Sequence, residues 1–508
     1  MRYLVSCAVV ALAFSALTAV AQPAPIDVLG RADFALLNRV TWGASEHSAS
    51  ELERLGAERW LDSQLHPAAG EHLPPSVQSQ IQAMAVTREP MIQLARDADG
   101  ANRFANTLPT PEQRGAAQGL YQQGMNELMR EAASRSLLRD VYSDDQLKEQ
   151  MTWFWTNHFN VQAAKANVRT MVGDYENAAI RPHALGHFRE LVLATLKHPA
   201  MLRYLDNADN AVGHVNENYA RELMELHTMG VGSGYTQQDV QQLAGILTGV
   251  GIDLSPADPK VAPKHAGDLI HTGLFEFNPN RHDYGDKVLL GHTIKGRGFG
   301  EVEEALDILC REPATARHIS FELAQYFVSD DPPPRLVDAM AATFQRTDGD
   351  IAAVLSTLFH SSAFRASLGT KFKDPIHYTV SAVRQAYDEK VILNTGPMQS
   401  WLGRLGETLY NHETPDGYAM TEAAWDAPGQ MALRFDIARQ MGAGSSGLFK
   451  ALPPATTNEP EFPQLRNALY QQTVARTLSG PTAAALAKAK SQAEWNTLYL
   501  ASPEFMRR

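Results

Sequence analysis

Apolar residues recur along most of this chain at intervals of three and four, the spacing that places them on one face of an α-helix. Leu147, Met151, Phe154 and His158 follow this spacing, so a histidine continues an otherwise apolar stripe. The pattern predicts a mainly α-helical fold, with a single large multi-helix domain over residues 22–507.

Two stretches interrupt the helical pattern. Residues 68–118 are polar and broken by prolines, and residues 252–300 are rich in Gly, Pro, His and Asp. Within the second, KVLLGHTI at 287–294 has β-branched residues around a glycine, which predicts a short β-hairpin in an otherwise irregular insertion. Long loops inside a compact domain are usually functional or disordered.

Capping residues and prolines in the sequence predict where some helices begin and end. Thr236 and Asp239 have the spacing of a capping box, which predicts that a helix begins between them. Pro182 suits the first position of another helix, which we expect to end before Pro199.

The N-terminal residues resemble a secretory signal peptide. An early Arg2 precedes an apolar run that closes on an Ala-x-Ala site. We therefore expect residues 1–21 to be removed after Ala21 and the protein to be periplasmic or secreted. Removal would take Cys7 away and leave Cys310 alone, and no integral membrane segment is predicted after it.

Composition and net charge limit the classes of molecule that this protein is expected to bind. The chain has 508 residues, 44% hydrophobic and 20% charged, which is ordinary globular composition. Its net charge of -12 argues against nucleic acid as a partner. A neutral sugar or peptide substrate is compatible with it.

The stretch NENYARELMELHTMG at 216–230 combines strong helix signals with many functional groups. Asn216 can cap the helix and Gly230 can end it. Glu217, Arg221 and Glu225 form an i, i+4 ladder opposite the apolar face. Such a ladder is typical of a surface salt-bridge series.

Three residues could instead form a reaction centre. Glu222 lies at the border of the apolar face, where a half-buried carboxyl can serve as a general acid. His227 projects into the centre of that face, as His158 does from its own helix. Buried histidines usually bond to backbone or a carboxylate, but if both helices pack on one core, the two imidazoles meet.

Other segments offer further candidates. His183, His187 and Glu190 fall at i, i+4 and i+7 of the predicted helix and could present metal ligands, although a solvated face is the simpler interpretation. The sequence HALGH lacks the acid of the zinc-protease helix.

A charged loop and a tryptophan could bind substrate. Arg281, His282, Asp283 and Lys287 crowd the segment RHDYGDK, which could form a binding rim or a hydrogen-bonded structural loop. Trp155 could stack on a sugar ring, but tryptophans are more often core residues.

Several segments together resemble the bacterial family called domain of unknown function 1800. They are LLNRVTWG, WFWTNHF, RPHALGHFRELVLATLKHPAMLRYLDN, NENYARELMELHTMGV, YTQQDV, RHDYGDKVLLG, ATARHISFELAQYF and LASPEF. The resemblance implies export and, as a possible partner, an exported protein of the family numbered 1501. It implies no settled activity or catalytic residues. The segment HETPDGYAMTEAAW departs from the family's more Pro- and Trp-rich pattern.

The leading hypothesis is a hydrolase of an envelope or extracellular polymer, such as a polysaccharide. Glu222 would be the acid, Asp283 or Glu217 the second carboxylate, and His158 and His227 would orient or bind.

Two rivals remain open. One is a metal-dependent enzyme that holds a divalent metal through His158, His183, His227 and His282. The other is a non-enzymatic binding or assembly partner, which the absence of a convergent polar cavity would favour.

Overall fold

A computed structural model describes residues 30–255, 257–388, 390–452 and 456–508, so the predicted signal peptide lies outside the described residues. The structure confirms the mainly α-helical fold. The α-helices are α1 (Arg31–Val40), α2 (Glu46–Leu55), α3 (Ala57–Leu65), α4 (Pro75–Ala83), α5 (Ala85–Arg88), α6 (Met91–Thr107), α7 (Pro111–Tyr142), α8 (Gln146–His158), α9 (Val172–Asp174), α10 (Phe188–Lys197), α11 (Pro199–Tyr204), α12 (Asn218–Glu225), α13 (Gln237–Ile246), α14 (Gly300–Arg311), α15 (Pro313–Phe327), α16 (Pro334–Arg346), α17 (Ile351–Phe359), α18 (Ser362–Ser367), α19 (Pro375–Tyr387), α20 (Gly396–Leu405), α21 (Pro428–Gly442), α22 (Ala468–Gln472), α23 (Gly480–Ala487) and α24 (Gln492–Leu500).

Short turns of other helix types connect these elements. A π-helix, Tyr175–Ile180, follows α9 directly. The 3-10 turns are Val168–Thr170, Arg181–His183, Asn207–Asp209, Pro263–Asp268, Pro279–Arg281, Glu422–Ala424 and Val474–Arg476.

The strands confirm the predicted insertion. β1 (Val250–Ile252), β2 (Ile270–Thr272) and β3 (Phe275–Phe277) form an antiparallel sheet with β3 in the centre. β4 (Lys287–Leu289) and β5 (His292–Ile294) pair as the hairpin predicted at 287–294. Its two turn residues both have positive φ, as a tight hairpin turn requires.

The longest helix, α7, reaches from the surface into the core. Thr110 and Gln113 close a capping box at its start, and Pro111 occupies its first position. Its first half packs on α6, whereas the residues from Ala132 to Tyr142 are mostly buried. The end of α7 therefore carries polar groups into the interior.

The predicted helix from Pro182 is wrong in its first part. The structure has a 3-10 turn and a break before α10 begins. His187 forms an antiparallel bridge with Asp350, and the Phe188 N–H donates to the Gly349 carbonyl at 2.9 Å. This contact with a distant loop supplies hydrogen bonds that compete with those of a continuous helix.

Helix α12 is shorter than the predicted 216–230. Asn216 lies before it, where its side chain accepts from the Asn218 N–H at 2.9 Å, and the helix ends at Glu225. The predicted capping box of Thr236 and Asp239 is confirmed at the start of α13.

Buried apolar residues form one contiguous core from Leu37 to Met506. Among the described residues, no helix combines the length and the apolar character needed to cross a membrane.

Candidate functional site

Four side chains meet where α8, α12 and α15 converge. His158, the last residue of α8, points its Nδ1 at a Glu322 carboxylate oxygen 2.6 Å away on α15. Burial opposes ionisation of Glu322, but His158 outweighs it and holds the pKa of Glu322 below its ordinary value. We call His158, His227, His318 and Glu322 the Glu322 cluster.

The cluster closes the C-terminal end of α12. His318 Nε2 lies 3.1 Å from the Leu226 carbonyl, and His158 Nε2 lies 3.3 Å from the His227 carbonyl. Carbonyls at a helix end lack hydrogen-bond donors within the helix, and imidazole N–H groups can act as those donors. Two of the three imidazoles therefore serve as helix caps.

His227 occupies the centre of the apolar face, as its position in the sequence indicates. Its ring centroid lies 6.0 Å from that of His158 and 5.1 Å from that of Phe159. It is fully buried, and within the described part of the chain neither ring nitrogen has a hydrogen-bond partner. Burial, reinforced by His158 and His318, holds its pKa well below the ordinary value.

Among the described residues, the Glu222 side chain forms no hydrogen bond or ion pair with these histidines. Its side chain is half-buried, and burial, with Glu225 nearby, raises its pKa. The carboxylate that contacts His158 is Glu322 rather than Glu222. On the outer face, Arg221 lies 3.2 Å from Glu217 and 3.5 Å from Glu225, and the three side chains are between 27% and 36% exposed.

The charged loop after β3 forms a buried network. His282 Nε2 lies 2.8 Å from one Glu301 oxygen, and Lys287 Nζ lies 2.7 Å from the other. These side chains are at most 4% exposed. Arg281 donates to the Ala208 carbonyl at 2.7 Å, and Asp283 accepts from the Gly285 N–H at 2.9 Å. The network ties the insertion to α14.

The remaining candidates are dispersed. Trp155 is fully buried and donates to the Ala184 carbonyl at 3.0 Å. His183 is half-buried beside a 420 Å³ cavity, and burial lowers its pKa. His183, His187 and Glu190 were predicted to lie on one face of a single helix. This prediction is wrong, because the helix is broken between His183 and Glu190. No group of three or more His, Cys, Asp or Glu side chains among the described residues is arranged to hold a metal ion.

A cleft of about 560 Å³ lies elsewhere, between α2, the loop before α4 and the ends of α7 and α19. We call it the His47 cleft. Its lining residues are Thr41, Ser45, His47, Ser48, Glu51, Trp60, Gln64, Glu71, His72, Leu73, Pro74, Val141, Tyr142, Ser143, Asp144, Gln146, Arg384 and Asp388. The volume is that of a small-molecule site, and the polar groups converge on it.

His47 is held between two carboxylates. Its Nε2 lies 3.2 Å from Asp144, and its backbone N–H donates to Asp388 at 3.4 Å. His47 and Asp144 are about half exposed, so a ligand in the cleft can reach them. Both carboxylates lie beside the N-terminal turn of α2, where the helix dipole favours negative charge.

A buried arginine lies behind these carboxylates. Arg384 donates through Nε to the Gly43 carbonyl at 2.9 Å. Burial lowers its pKa to about 10, against the attraction of Asp388 and Asp144. Asp388 has φ +47°, a region that non-glycine residues seldom adopt and that often marks functional sites.

Glu71 also lines the His47 cleft. Arg139 Nε lies 2.5 Å from its carboxylate, and Arg181 lies 3.6 Å away. Burial favours the neutral acid, but the two arginines outweigh it and hold the pKa of Glu71 below its ordinary value. The cleft thus has a further carboxylate that stays ionised.

No local pattern in the sequence indicates the His47 cleft. His47, Asp144 and Asp388 come from three segments separated by about 100 and 240 positions, and no local spacing connects them. Only the convergence of α2, α7 and α19 brings them together.

A family model described as a protein of unknown function, DUF1800, matches residues 35–507. No curated protein and no solved structure matches the chain.

Proposed function

Because the chain belongs to the DUF1800 family of proteins of unknown function, its activity must be argued from its own residues, and we propose that it is a hydrolase acting in the His47 cleft. Its substrate would be an envelope or extracellular polymer, with a polysaccharide as the first class to test. The geometry that supports this proposal is the half-exposed His47–Asp144 pair in the wall of a cavity of about 560 Å³.

His47 is the proposed general base. A neutral imidazole has one ring nitrogen that carries a lone pair. That nitrogen takes a proton from water as the water oxygen attacks the scissile bond. The imidazolium then returns the proton to the leaving oxygen. Asp144 fixes the ring and stabilises its charged form, as a carboxylate does beside a catalytic histidine.

The charge of the cleft supports a neutral or cationic substrate. Asp388, Asp144 and Glu71 add negative charge to the walls, whereas Arg384 lies buried behind them. A negative wall stabilises the positive charge that develops on a sugar during glycosidic cleavage. It repels phosphorylated or heavily carboxylated chains.

Export fits this substrate class. The signal-peptide pattern of residues 1–21 would deliver the protein to the periplasm or beyond, where such polymers occur. An exported protein of the family numbered 1501 remains a proposed partner.

The proposal is tested by turnover. Purified protein is screened against soluble neutral and amino polysaccharides, with new reducing ends as the readout. On a substrate that is cleaved, His47→Gln should lower kcat at least 100-fold, on the order of what general base catalysis contributes.

His66→Gln is the matched control. His66 forms the same kind of pair with Asp62, at 3.2 Å, but on an exposed helix end outside the cleft lining. Full turnover in folded His47→Gln would overturn the assignment, and turnover lost equally in His66→Gln would show that the effect is not specific to the cleft.

A further inference from the structure

A second cavity, of about 420 Å³, shares Glu71 with the His47 cleft. Its walls include Arg88, Arg135, Arg139 and Asn177. We call it the Arg139 cavity. Arg88, Arg135 and Asn177 have no part in the proposed hydrolysis, and Arg139 enters it only by keeping Glu71 ionised.

Arg139 carries hydrogen-bonding capacity that the protein leaves unused. The residue is only 6% exposed, and its Nε is bonded to Glu71. Its Nη1 is buried and has no hydrogen-bond partner within the described residues. A buried guanidinium nitrogen without an acceptor is costly, so an acceptor supplied by a ligand would be favourable.

A second guanidinium adds positive charge beside the first. Arg135 is 2% exposed and donates to the carbonyls of Val86 and Gly173 and to the Thr87 hydroxyl. No carboxylate in the described part of the chain forms an ion pair with it. Burial lowers its pKa, and the neighbouring Arg139 lowers it further. The two cations repel each other, and an anion between them would relieve that repulsion.

Two backbone features face the same cavity. Met91, the first residue of the 17-residue helix α6, lines it, and no side chain caps that helix end. Uncapped N–H groups and the helix dipole favour an anion there. Asn177 lies on the π-helix, an element that occurs often at functional sites.

The acids in the wall already have cationic or histidine partners. Glu71 pairs with Arg139, and Asp174 lies 3.1 Å from His198. Glu89 lies 4.0 Å from Arg88 at the exposed rim. They therefore leave Arg135 without a counter-charge in contact.

We propose that the Arg139 cavity is a binding site for an oxyanion, either the carboxylate of a uronic acid or inorganic phosphate. Arg139 would donate from Nη1, and Arg135 and the start of α6 would supply the favourable field. The Arg139 cavity is distinct from the His47 cleft, and its assignment does not rest on hydrolysis there.

Calorimetry at constant ionic strength tests the proposal, with inorganic phosphate in one arm, glucuronate in a second and neutral glucose in a third. We expect saturable one-to-one binding of at least one anion and none of glucose. Binding of phosphate alone identifies a free phosphate site, and binding of glucuronate alone identifies a sugar carboxylate. If neither anion binds, the proposal is wrong.

Variants locate the binding. Arg139→Gln should weaken it at least tenfold, whereas Arg130→Gln, at an exposed position of the same helix outside the cavity lining, should change it little. Asn177→Leu keeps both arginines but replaces a polar wall group by a larger apolar one, so it should also weaken anion binding and serves if Arg139→Gln does not fold. His47→Gln should bind as the native protein does. Unchanged affinity in both Arg139→Gln and Asn177→Leu would overturn the site.

Discussion

His158 Nδ1 lies 2.6 Å from a Glu322 carboxylate oxygen, and this contact ties the end of α8 to the middle of α15. The same imidazole reaches the His227 carbonyl through its other nitrogen. The His158–Glu322 pair therefore connects α8, α15 and the segment that follows α12, and its histidine is almost fully buried.

Replacing Glu322 by Gln should destabilise the fold. The change removes the carboxylate that contacts His158 Nδ1, and we expect the free energy of unfolding to fall by about 2 kcal/mol, less than for a fully buried pair because Glu322 is partly exposed. Urea unfolding at pH 7 measures the loss. Glu303→Gln, at an exposed position of α14, is the control and should change stability little. Equal effects in the two variants would contradict a role for the pair.

His227 should make stability depend on pH. Its pKa in the folded protein lies well below the ordinary value of 6.5, so the folded state binds fewer protons there than the unfolded chain does. The stability that the neutral ring supports is complete above pH 6.5 and is lost as the pH falls below that value. His227→Phe removes the titration and should flatten the curve of unfolding free energy against pH on the acidic side.

The control for that measurement is His66→Phe, at an exposed position. Its curve should follow that of the native protein. Parallel slopes in all three proteins would mean that His227 does not carry the acid sensitivity.

Gly230→Ala should destabilise the end of α12 through two effects. Gly230 has φ +88°, and an added Cβ would stand 3.1 Å from the His318 ring. We expect a loss of about 1 to 2 kcal/mol from the left-handed backbone alone, with more from the displaced imidazole.

Gly232→Ala separates the two effects. Gly232 has φ +72°, but its added Cβ would meet no atom within 4 Å. The difference between the variants in thermal unfolding reports the His318 contact. If Gly230→Ala costs no more than Gly232→Ala, the imidazole does not pack against this turn as described.

Asp144→Asn should slow the proposed hydrolysis without weakening substrate binding. The amide can no longer stabilise the imidazolium of His47, so kcat should fall on the order of 100-fold or more while KM changes little. Asp62→Asn, in the exposed pair with His66, is the control. A rise in KM with unchanged kcat would instead make Asp144 a binding group.

Much of the fold could be predicted because helical periodicity is local. The stripe through His158 and the capping box at Thr236 both depend on residues within a few turns of each other. The break before Phe188 could not be read in this way, since its cause is a bridge to Asp350, more than 160 positions away.

The candidate sites also combine features that local spacing predicts with features that depend on distant segments. The inward positions of His158 and His227 follow from helix faces, and their rings do meet. Glu322, the carboxylate that completes the cluster, lies between Phe321 and Leu323 with no local signal of its role. The His47 cleft depends on contacts between distant segments and was not predicted at all. The domain boundaries, the signal peptide and the catalytic roles stay predictions.

Glu71 lines both the His47 cleft and the Arg139 cavity. An anion that draws Arg139 toward its own cavity would loosen the hold on Glu71 and strengthen the negative field in the neighbouring cleft. Thermodynamic linkage then makes the effect reciprocal. If a bound oxyanion changes the affinity of the His47 cleft for its ligand by some factor, the bound ligand changes the affinity of the Arg139 cavity for the oxyanion by the same factor. A single side chain would thus let the two occupants communicate without touching.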